Sequence, residues 1–410
     1  MSDQTPTPVP PDPVPPAPPV AAPPVSAPPV ITEESLKQNR GFLQQLTTSV
    51  NWRTGLLIPL LSVITALAIG LVIILLSGTP FSEALNAYGA LLQGSVGSVK
   101  AISETLTAAT PLILVGLSVA IAFRAGLFNI GGEGQMAVGG MTAVLVGFSF
   151  TGLPLIVHLP LAILAGIVGG AIWGFIPGVL KAKTGAHEVI VTIMLNYIAF
   201  RLVDFFLKSS LFQREGRSDP VSRTIQDSAQ LPQLLDWINP SMRIHFGLIV
   251  ALLAAVLVHW LLFRTTTGFE FRAVGANPAA ARYAGMSVAR VYILVMTIAG
   301  GLAGLAAGGQ VLGVLERVTP GFTAGIGFDG IAVALLGRSN PAGVVAAALL
   351  FGGLRAGGQQ MQVSTDVGID LISVIQALII IFVAAPTLIS SIYRLKTPMA
   401  ATQISKGWAA

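Results

Sequence analysis

Residues 105–135 read TLTAATPLILVGLSVAIAFRAGLFNIGGEGQ, and this stretch determines the kind of fold that the chain can adopt. Its first 19 residues, 105–123, carry no charged side chain and are long enough to span the apolar layer of a bilayer as a helix. The polar, glycine-rich remainder leads directly into further apolar residues. The stretch therefore predicts one membrane helix followed by a polar entry into a second.

The composition of the whole chain agrees with a membrane protein. Of 410 residues, 53% are hydrophobic and 10% are charged, whereas soluble proteins carry about 25% charged residues. The absence of cysteine excludes disulfides and thiolate metal sites, and no phosphate-binding loop motif or serine-hydrolase motif occurs. The net charge of +5 is typical of cytoplasmic loops in a membrane protein rather than of nucleic-acid binding. We therefore predict no catalytic site, no metal site and no cofactor in this chain.

Apolar stretches recur along the chain and predict an all-α polytopic membrane protein with about ten transmembrane helices. If the N-terminus is inside, 14 of the 23 Lys and Arg residues fall on the cytoplasmic side, which places both termini in the cytoplasm. Two stretches, 325-337 and 341-356, are shorter than a full span and are expected to be half-helices or short tilted spans. The predicted spans are 55-76, 105-123, 127-150, 157-180, 187-207, 246-263, 291-313, 325-337, 341-356 and 368-389.

The segments outside the spans differ in composition. Residues 1-30 hold 13 of the 27 prolines and are expected to form a disordered, Pro-rich cytoplasmic tail. Residues 31-54 are expected to lie at the membrane surface. A transmembrane domain then covers 55-395, and 396-410 form a cytoplasmic C-terminal tail.

A short internal repeat links two distant parts of the chain. The sequence IGGEG at 130–134 recurs as IGFDG at 326–330, and small apolar residues follow both copies. In the predicted topology, the first copy runs outward and the second runs inward. This opposition predicts an inverted repeat in which spans 2-5 match spans 7-10.

Glycines also recur at four-residue spacing in several spans. Small residues at this spacing let the backbones of membrane helices approach each other, so we expect packing seams there. The GxGxxG pattern at 325–330 lacks a neighbouring strand and therefore does not indicate a dinucleotide site. The expected seams are Gly166/Gly170/Gly174, Gly300/Gly304/Gly308 and Gly353/Gly357.

Several polar side chains fall within or beside the spans. A carboxylate such as Glu133 is costly in a membrane helix unless it faces a cavity or the bundle interior, so we expect it to mark a pathway. A buried helix cap, or an ion pair with Arg124, is the alternative. Asn196 is expected either to contact a polar solute or to form an interhelical hydrogen bond. The residues predicted to lie along or to brace a substrate path are Asn129, Glu133, Gln135, Asn196 and Asp329.

Two arginines, Arg201 and Arg355, fall inside spans or at their ends and need polar partners in the membrane. Asp204 follows Arg201 by three residues. We therefore expect these two side chains to pair on one face of a helix.

The segment 264–290 contains the pattern of a short capped helix. Asn277 precedes Pro278, a combination that favours the start of a helix, and Gly285 ends the helix after about two turns. A connecting loop does not need such a helix. We therefore expect it to dock on a cytoplasmic partner, with a helix lying on the lipid surface as the alternative.

Three runs of residues together carry a resemblance to a known family. They are GLFNIGGEGQ at 126–135, the span 188–197 with its Met-Leu-Asn-Tyr sequence, and GANPAAARYAG at 275–285. In this order they resemble the permease subunits of bacterial ABC importers for nucleosides, which are related to the permeases for simple sugars and branched-chain amino acids. The similarity covers about 55-395, which is then a transmembrane permease domain.

The resemblance implies a multi-pass subunit of the bacterial cytoplasmic (inner) membrane that forms a translocation path and performs no covalent chemistry. Its implied partners are an ABC ATPase with two nucleotide-binding domains, which binds ATP and Mg²⁺, a second permease subunit, and an extracytoplasmic solute-binding lipoprotein. The segment 275–285 corresponds to the coupling helix that contacts the ATPase. The residues implied in coupling are Asn277, Pro278, Arg282, Tyr283 and Gly285, with the side chains of Arg282 and Tyr283 at the contact.

Two alternatives remain open from the sequence. An ion-coupled secondary transporter would also contain inverted repeats, and Glu133 and Asp329 would then bind H⁺ or Na⁺. Such a carrier offers no partner for the 275–285 helix. An ABC permease for a simple sugar is the other alternative.

Overall fold

The computed structural model describes residues 52–393, except 215, 217, 238, 240, 241, 366, 367 and 369. Within these residues the chain is helical apart from connecting segments and two isolated β-bridges, which confirms the all-α prediction. Seven of the described helices are long and apolar enough to cross a membrane. The total of ten spans and the cytoplasmic position of both termini stay predictions. The tails 1-30 and 396-410 and most of the segment 31-54 lie outside the described residues.

The helices of the described part are numbered here in chain order. They are α1 (Trp52–Leu76), α2 (Phe81–Val96), α3 (Val99–Arg124), α4 (Gly132–Ser149), α5 (Leu155–Thr184), α6 (Glu188–Leu207), α7 (Gly247–Arg264), α8 (Thr266–Ala276), α9 (Pro278–Tyr283), α10 (Val288–Gln310), α11 (Ile326–Leu336), α12 (Pro341–Ser364), α13 (Asp370–Ala384) and α14 (Pro386–Ile392). A π-helical turn, Val311–Leu315, continues α10.

Two helices differ from the prediction. The stretch 341-356 was expected to be short, but α12 has 24 residues and is a full-length span, so this expectation is wrong. Its second half carries Arg355, which pairs with Asp329 of α11, and three exposed glutamines, and these residues lower its hydropathy. Helix α2 was not predicted at all, because its apolar residues are interrupted by polar ones. By contrast, α11 has only 11 residues, which confirms the short span expected at 325-337.

The contacts between helices follow a two-fold pattern. Helix α3 packs on α12 as α10 packs on α5, and α4 packs on α10 as α11 packs on α3. In the predicted repeat, α3, α4 and α5 correspond to α10, α11 and α12. This correspondence converts the first contact of each pair into the second. The packing therefore agrees with the predicted inverted repeat.

The contact between α5 and α10 is a seam of glycines. A Cβ atom placed on Gly170 would lie 2.3 Å from the carbonyl oxygen of Gly300, and one placed on Gly304 would lie 2.1 Å from that of Gly166. Because the two backbones touch directly, no larger side chain fits at these positions. Helix α12 makes a similar approach to α2, where a Cβ on Gly357 would lie 2.2 Å from the carbonyl oxygen of Leu91. These contacts confirm glycine seams on α5, α10 and α12. Two of the glycines expected in them, Gly308 and Gly353, take no part, since a Cβ there would meet other atoms only at 3.7 Å or more.

The two ends of the bundle carry different connections. Residues 208–246 join α6 to α7 at one end, which is named the outer end here because the predicted orientation places it outside. Helices α8 and α9 join α7 to α10 at the opposite end, which is named the inner end. The names follow the predicted topology.

Candidate translocation site

The first turns of α4 and α11 meet inside the bundle. A Cβ on Gly327 would lie 2.3 Å from the backbone nitrogen of Glu133, so only glycine allows this approach. Near the outer end of α4, Gln226 N donates to Gly147 O at 2.8 Å. Glu133 precedes Gly147 by fourteen residues and therefore lies about 21 Å deeper along the helix. We name this meeting point, residues 129–135 and 323–329, the helix junction.

Glu133 caps the start of α11. Its side chain is almost fully buried, and its carboxylate accepts hydrogen bonds from Thr323 Oγ1 at 2.6 Å, Gly325 N at 3.0 Å and Gly327 N at 2.6 Å. The free N–H groups at the start of a helix favour a negative charge there. The structure thus gives Glu133 the role of a buried helix cap, although the helix that it caps belongs to the other repeat. Arg124 instead donates to Ser339 O at 2.9 Å.

Three buried amides hold the start of α4. Asn129 and Gln135 exchange hydrogen bonds, from Nδ2 to Oε1 at 2.9 Å and from Nε2 to Oδ1 at 3.1 Å. Asn196 reaches across from α6, where its Oδ1 accepts from Gly134 N at 2.8 Å and its Nδ2 donates to Ile130 O at 2.9 Å. The interhelical hydrogen bond expected as one role of Asn196 is therefore present.

Asp329 lies at the start of α11 but faces another helix. Its Oδ2 accepts from Arg355 Nη2 on α12 at 2.6 Å, and both side chains are partly exposed. This pair supplies the partner that Arg355 needs inside a membrane span. The predicted pair of Arg201 and Asp204 is also present, with a distance of 3.6 Å between Nη1 and Oδ2.

Asp329 lies within the helix junction but faces α12. Of the other four predicted path residues, Asn129, Glu133 and Gln135 lie in the junction, and Asn196 bonds to it from α6. Their hydrogen bonds to the protein show how they brace the junction, and their contact with a solute stays a prediction. The sequence did not reveal Thr323, Gly325 and Gly327 as partners of Glu133. Two of these three donors are backbone N–H groups. Nearly every residue has such a group, so the residue type does not identify it as a partner.

At the inner end, α9 has the structure that the sequence predicts. Asn277 Oδ1 accepts from Ala280 N at 3.0 Å, and Pro278 begins the helix. Gly285 follows the helix with φ +85°, a conformation that favours glycine. Arg282 is exposed, and the side chain of Tyr283 is 98% exposed, so both are free to contact a partner.

Helix α8 connects α9 to the chain that leads to the helix junction. The buried side chain of Phe271 anchors α8 in the bundle. A Cβ on Gly275 would lie 2.2 Å from the carbonyl oxygen of Arg124, and one on Gly126 would lie 3.2 Å from the Cα of Gly275. The end of α8 thus touches the backbone between α3 and α4. A displacement of α9 would press on this segment.

At the outer end, the 208–246 segment is tied to α3. Ile244 N donates to Ser103 Oγ at 3.2 Å, and Arg243 forms an ion pair with Glu104. The hydrogen bond to Glu104 raises the pKa of Arg243 above its usual value. Burial lowers the pKa of the neighbouring His245 to about 4. An imidazole with this pKa is neutral at pH 7. The charge of Arg243 is compensated by Glu104, so these residues leave no unpaired charge between the 208–246 segment and α3.

The described residues contain no group of three or more His, Asp or Glu side chains placed to hold a metal ion. The model of the family described as "Branched-chain amino acid transport system / permease component" matches residues 101–384. The chain belongs to this permease family. The match extends from α3 to α13 and so includes the helix junction and the α8–α9 connection of this permease.

Relatives of this permease come from bacteria and an archaeon. The guanosine ABC transporter permease protein NupP of Bacillus subtilis is 46% identical over 332 residues, which are 80% of this chain and 93% of that protein. The nucleoside ABC transporter permease protein NupB of Lactococcus lactis is 39% identical, with coverages of 81% and 92%. A glucose ABC transporter permease protein of Haloferax volcanii is 37% identical, with coverages of 79% and 86%. No solved structure gives a significant match to this permease.

Proposed function

We propose that the chain is the permease subunit of an ATP-driven importer for nucleosides in a bacterial cytoplasmic membrane. The observation that carries this proposal is the 46% identity to a guanosine permease over 93% of that protein. Two further features support it, namely the meeting of the starts of α4 and α11, one from each predicted repeat, and the exposed, capped helix at the inner end. In this proposal the chain forms the path for the solute and makes or breaks no covalent bond.

The proposed partners are those that the relatives, which are permeases of ABC transporters, imply. An ABC ATPase with two nucleotide-binding domains binds ATP and Mg²⁺ and receives α9. A second permease completes the path, and a solute-binding lipoprotein delivers the nucleoside at the outer end. The exposure of Arg282 and Tyr283 supports α9 as the coupling helix, since these residue types are frequent at the energetic centre of protein interfaces.

The proposed coupling route runs from α9 to the helix junction. Closure of the ATPase moves α9, and the contact between Gly275 and Gly126 passes this motion to residues 125–131. These residues enter α4, whose first turn is bonded to α6 through Asn196 and to α11 through Glu133. A displacement of α9 therefore reaches α4 and α6 of the first repeat and α11 of the second. A switch between inward and outward openings requires such a coupled movement of both repeats.

Two other functions make different demands on the site. A sugar importer is favoured by the glucose permease of Haloferax volcanii, which covers a similar share of the chain. An ion-coupled carrier would need Glu133 free to bind a cation, whereas its carboxylate accepts hydrogen bonds from Thr323, Gly325 and Gly327 at the start of α11. The similarity to a glucose permease thus supports a sugar permease as second candidate, and the hydrogen bonds of Glu133 argue against the ion-coupled carrier.

Uptake measurements test the proposed function. The chain is deleted in its native host, and the uptake of labelled guanosine and labelled glucose is followed with and without a plasmid-borne copy. We expect guanosine uptake to disappear on deletion and to return with the plasmid, while glucose uptake stays unchanged. Loss of glucose uptake alone would instead identify a sugar permease. Uptake by the purified chain alone in liposomes under an ion gradient would contradict an ATP-driven importer.

A second experiment tests the coupling role of α9. In the double variant Arg282→Ala and Tyr283→Ala, we expect guanosine uptake and solute-stimulated ATP hydrolysis to fall by about tenfold or more, because the contact with the ATPase is lost. The matched control is Arg290→Ala, which removes an exposed positive charge at the same end of the bundle. Equal activities of the double variant and the control would refute the coupling role.

A further inference from the structure

Helix α6 presents a row of exposed side chains that no other described part of the chain covers. The row repeats every three or four residues, which places its members on one face of the helix. The opposite face, with Thr192, Asn196 and Val203, is buried in the bundle. The exposed row consists of Ile190, Met194, Tyr197, Arg201 and Phe205.

Helix α6 has the length and composition of a membrane span, and Arg201 lies inside that span. The hydrogen bond from Gly134 N to Asn196 places the middle of α6 at the depth of the helix junction. Arg201 is five residues, or about 7.5 Å, further outward, and α6 continues for about 9 Å beyond it to Leu207. Its side chain is 87% exposed, and that of its partner Asp204 is 38% exposed. An exposed ion pair at this depth is costly in hydrocarbon, so this face of α6 does not suit contact with lipid tails.

The neighbours of Arg201 on this face are aromatic. Tyr197 lies one turn before it with 62% exposure, and Phe205 lies one turn after it with 67% exposure. Aromatic rings and the plane of a guanidinium group both stack on nucleobases, and the guanidinium N–H groups donate to base carbonyls. A sugar ring, which lacks a π face, would gain less from this arrangement of two rings and one guanidinium.

We infer that Tyr197, Arg201 and Phe205 border the water-filled path and contact the base of the transported nucleoside. Asp204 forms an ion pair with Arg201 beside this surface. This inference rests on the proposed function and adds the surface on which the base is recognised. A sugar permease, or a face of α6 covered by lipid or by the second permease, would not use these side chains in this way.

Because the chain contains no cysteine, single cysteines can report the accessibility of this face. Arg201→Cys, Tyr197→Cys and Phe205→Cys are each introduced into the complete transporter in membranes and treated with a charged methanethiosulfonate reagent. The matched control is Leu253→Cys on α7, which is 56% exposed and lies about 9 Å from the outer start of its helix. The extent of reaction is read from the mass of this chain.

We expect the cysteine at 201 to react about tenfold faster than the one at 253, because charged reagents reach water-lined positions and not lipid-facing ones. Guanosine supplied with the complete transporter should slow the reaction at 197 and 201 by about threefold or more, whereas glucose should not. Reaction at 201 as slow as at 253 would overturn the inference, since lipid or the second permease then covers the face. Fast reaction without protection by guanosine would also overturn it.

Transport kinetics give an independent test. We expect Tyr197→Leu and Phe205→Leu to raise the KM for guanosine about tenfold through lost stacking, while Tyr197→Phe retains the ring and stays near wild type. Met194→Leu, on the same face, is the control and should not change KM. Unchanged KM in both leucine variants would contradict base contact. Uptake of guanosine by the wild type is measured first, so that failure of the proposed function is recognised separately.

Discussion

The starts of α4 and α11 meet in the helix junction but are held by different means. The start of α4 is bonded by neutral amides, Asn129 and Asn196, which belong to the same repeat. The start of α11 is bonded by the carboxylate of Glu133, which belongs to the other repeat. Asp329, the counterpart of Glu133 in the sequence repeat, pairs with Arg355 instead.

This difference shows that two similar sequences can serve unequal structural roles. The first repeat supplies the hydrogen-bond acceptors for the start of its own helix, α4. The second repeat depends on the first for the charge at its helix start. A charged acceptor contributes about twice as much as a neutral one, so the connection between the repeats is also the stronger of the two.

The substitution Glu133→Ala should have the largest effect on this comparison. It leaves the hydroxyl of Thr323 and the N–H groups of Gly325 and Gly327, at the start of α11, without their acceptor. We expect the free energy of unfolding to fall by about 4 kcal/mol. Thermal unfolding of the purified protein in detergent measures this loss. A midpoint within two degrees of wild type would show that the carboxylate is not the main bond between the repeats.

The substitution Gly327→Ala tests the close approach of the two helices. The added Cβ would lie 2.3 Å from the backbone nitrogen of Glu133, which cannot move without displacing α4. We expect a loss of about 3 kcal/mol by the same measurement. The control is Gly309→Ala in α10, where the added atom meets nothing within 4 Å. Equal midpoints for the two alanine variants would contradict the packing described at the junction.

The substitution Glu133→Gln separates charge from hydrogen bonding. Glutamine keeps one acceptor oxygen for Thr323 and Gly325, but its amide group faces the N–H of Gly327. We therefore expect about half of the loss caused by alanine, about 2 kcal/mol. Unfolding is again followed in detergent. A glutamine variant as unstable as the alanine variant would assign the whole effect to the negative charge at the helix start.

The substitution Asn196→Ala probes the amide side of the junction and should have the smallest effect. It removes one accepted and one donated hydrogen bond between α6 and α4. Hydrogen bonds between membrane helices contribute modestly, so we expect a loss of about 1 kcal/mol. If this loss equalled that of Glu133→Ala under the same conditions, the two helix starts would be equally strong and the comparison would fail.

The sequence predicts local features of this protein well. The Asn277 cap, the end of α9 at Gly285 and the pair of Arg201 with Asp204 all follow from residues a few positions apart. The repeat between 130–134 and 326–330 also predicts the pattern of helix packing. These features are accessible because the residue types that create them lie together in the chain or recur in it.

Other features depend on residues that the chain brings together from far apart. The partners of Glu133 follow it by about 190 residues, and two of them are backbone groups. Helix α12 was predicted to be too short because Arg355 lowers the hydropathy of its sequence. In the structure, the charge of Arg355 is balanced by Asp329 of α11. Helix α2 was missed because polar residues interrupt its apolar pattern. Its place in the bundle comes from packing on α12, which its own sequence does not reveal.

The glycine seam between α5 and α10 restricts how the permease can change shape. The close backbone contacts recur about once per turn along both helices. A shift of α5 along α10 would therefore restore them only after a whole turn, about 5.4 Å. Because α5 belongs to the first repeat and α10 to the second, this pair of helices joins the two repeats. We therefore expect a switch between openings to rotate the two repeats about this pair of helices rather than to slide them along it.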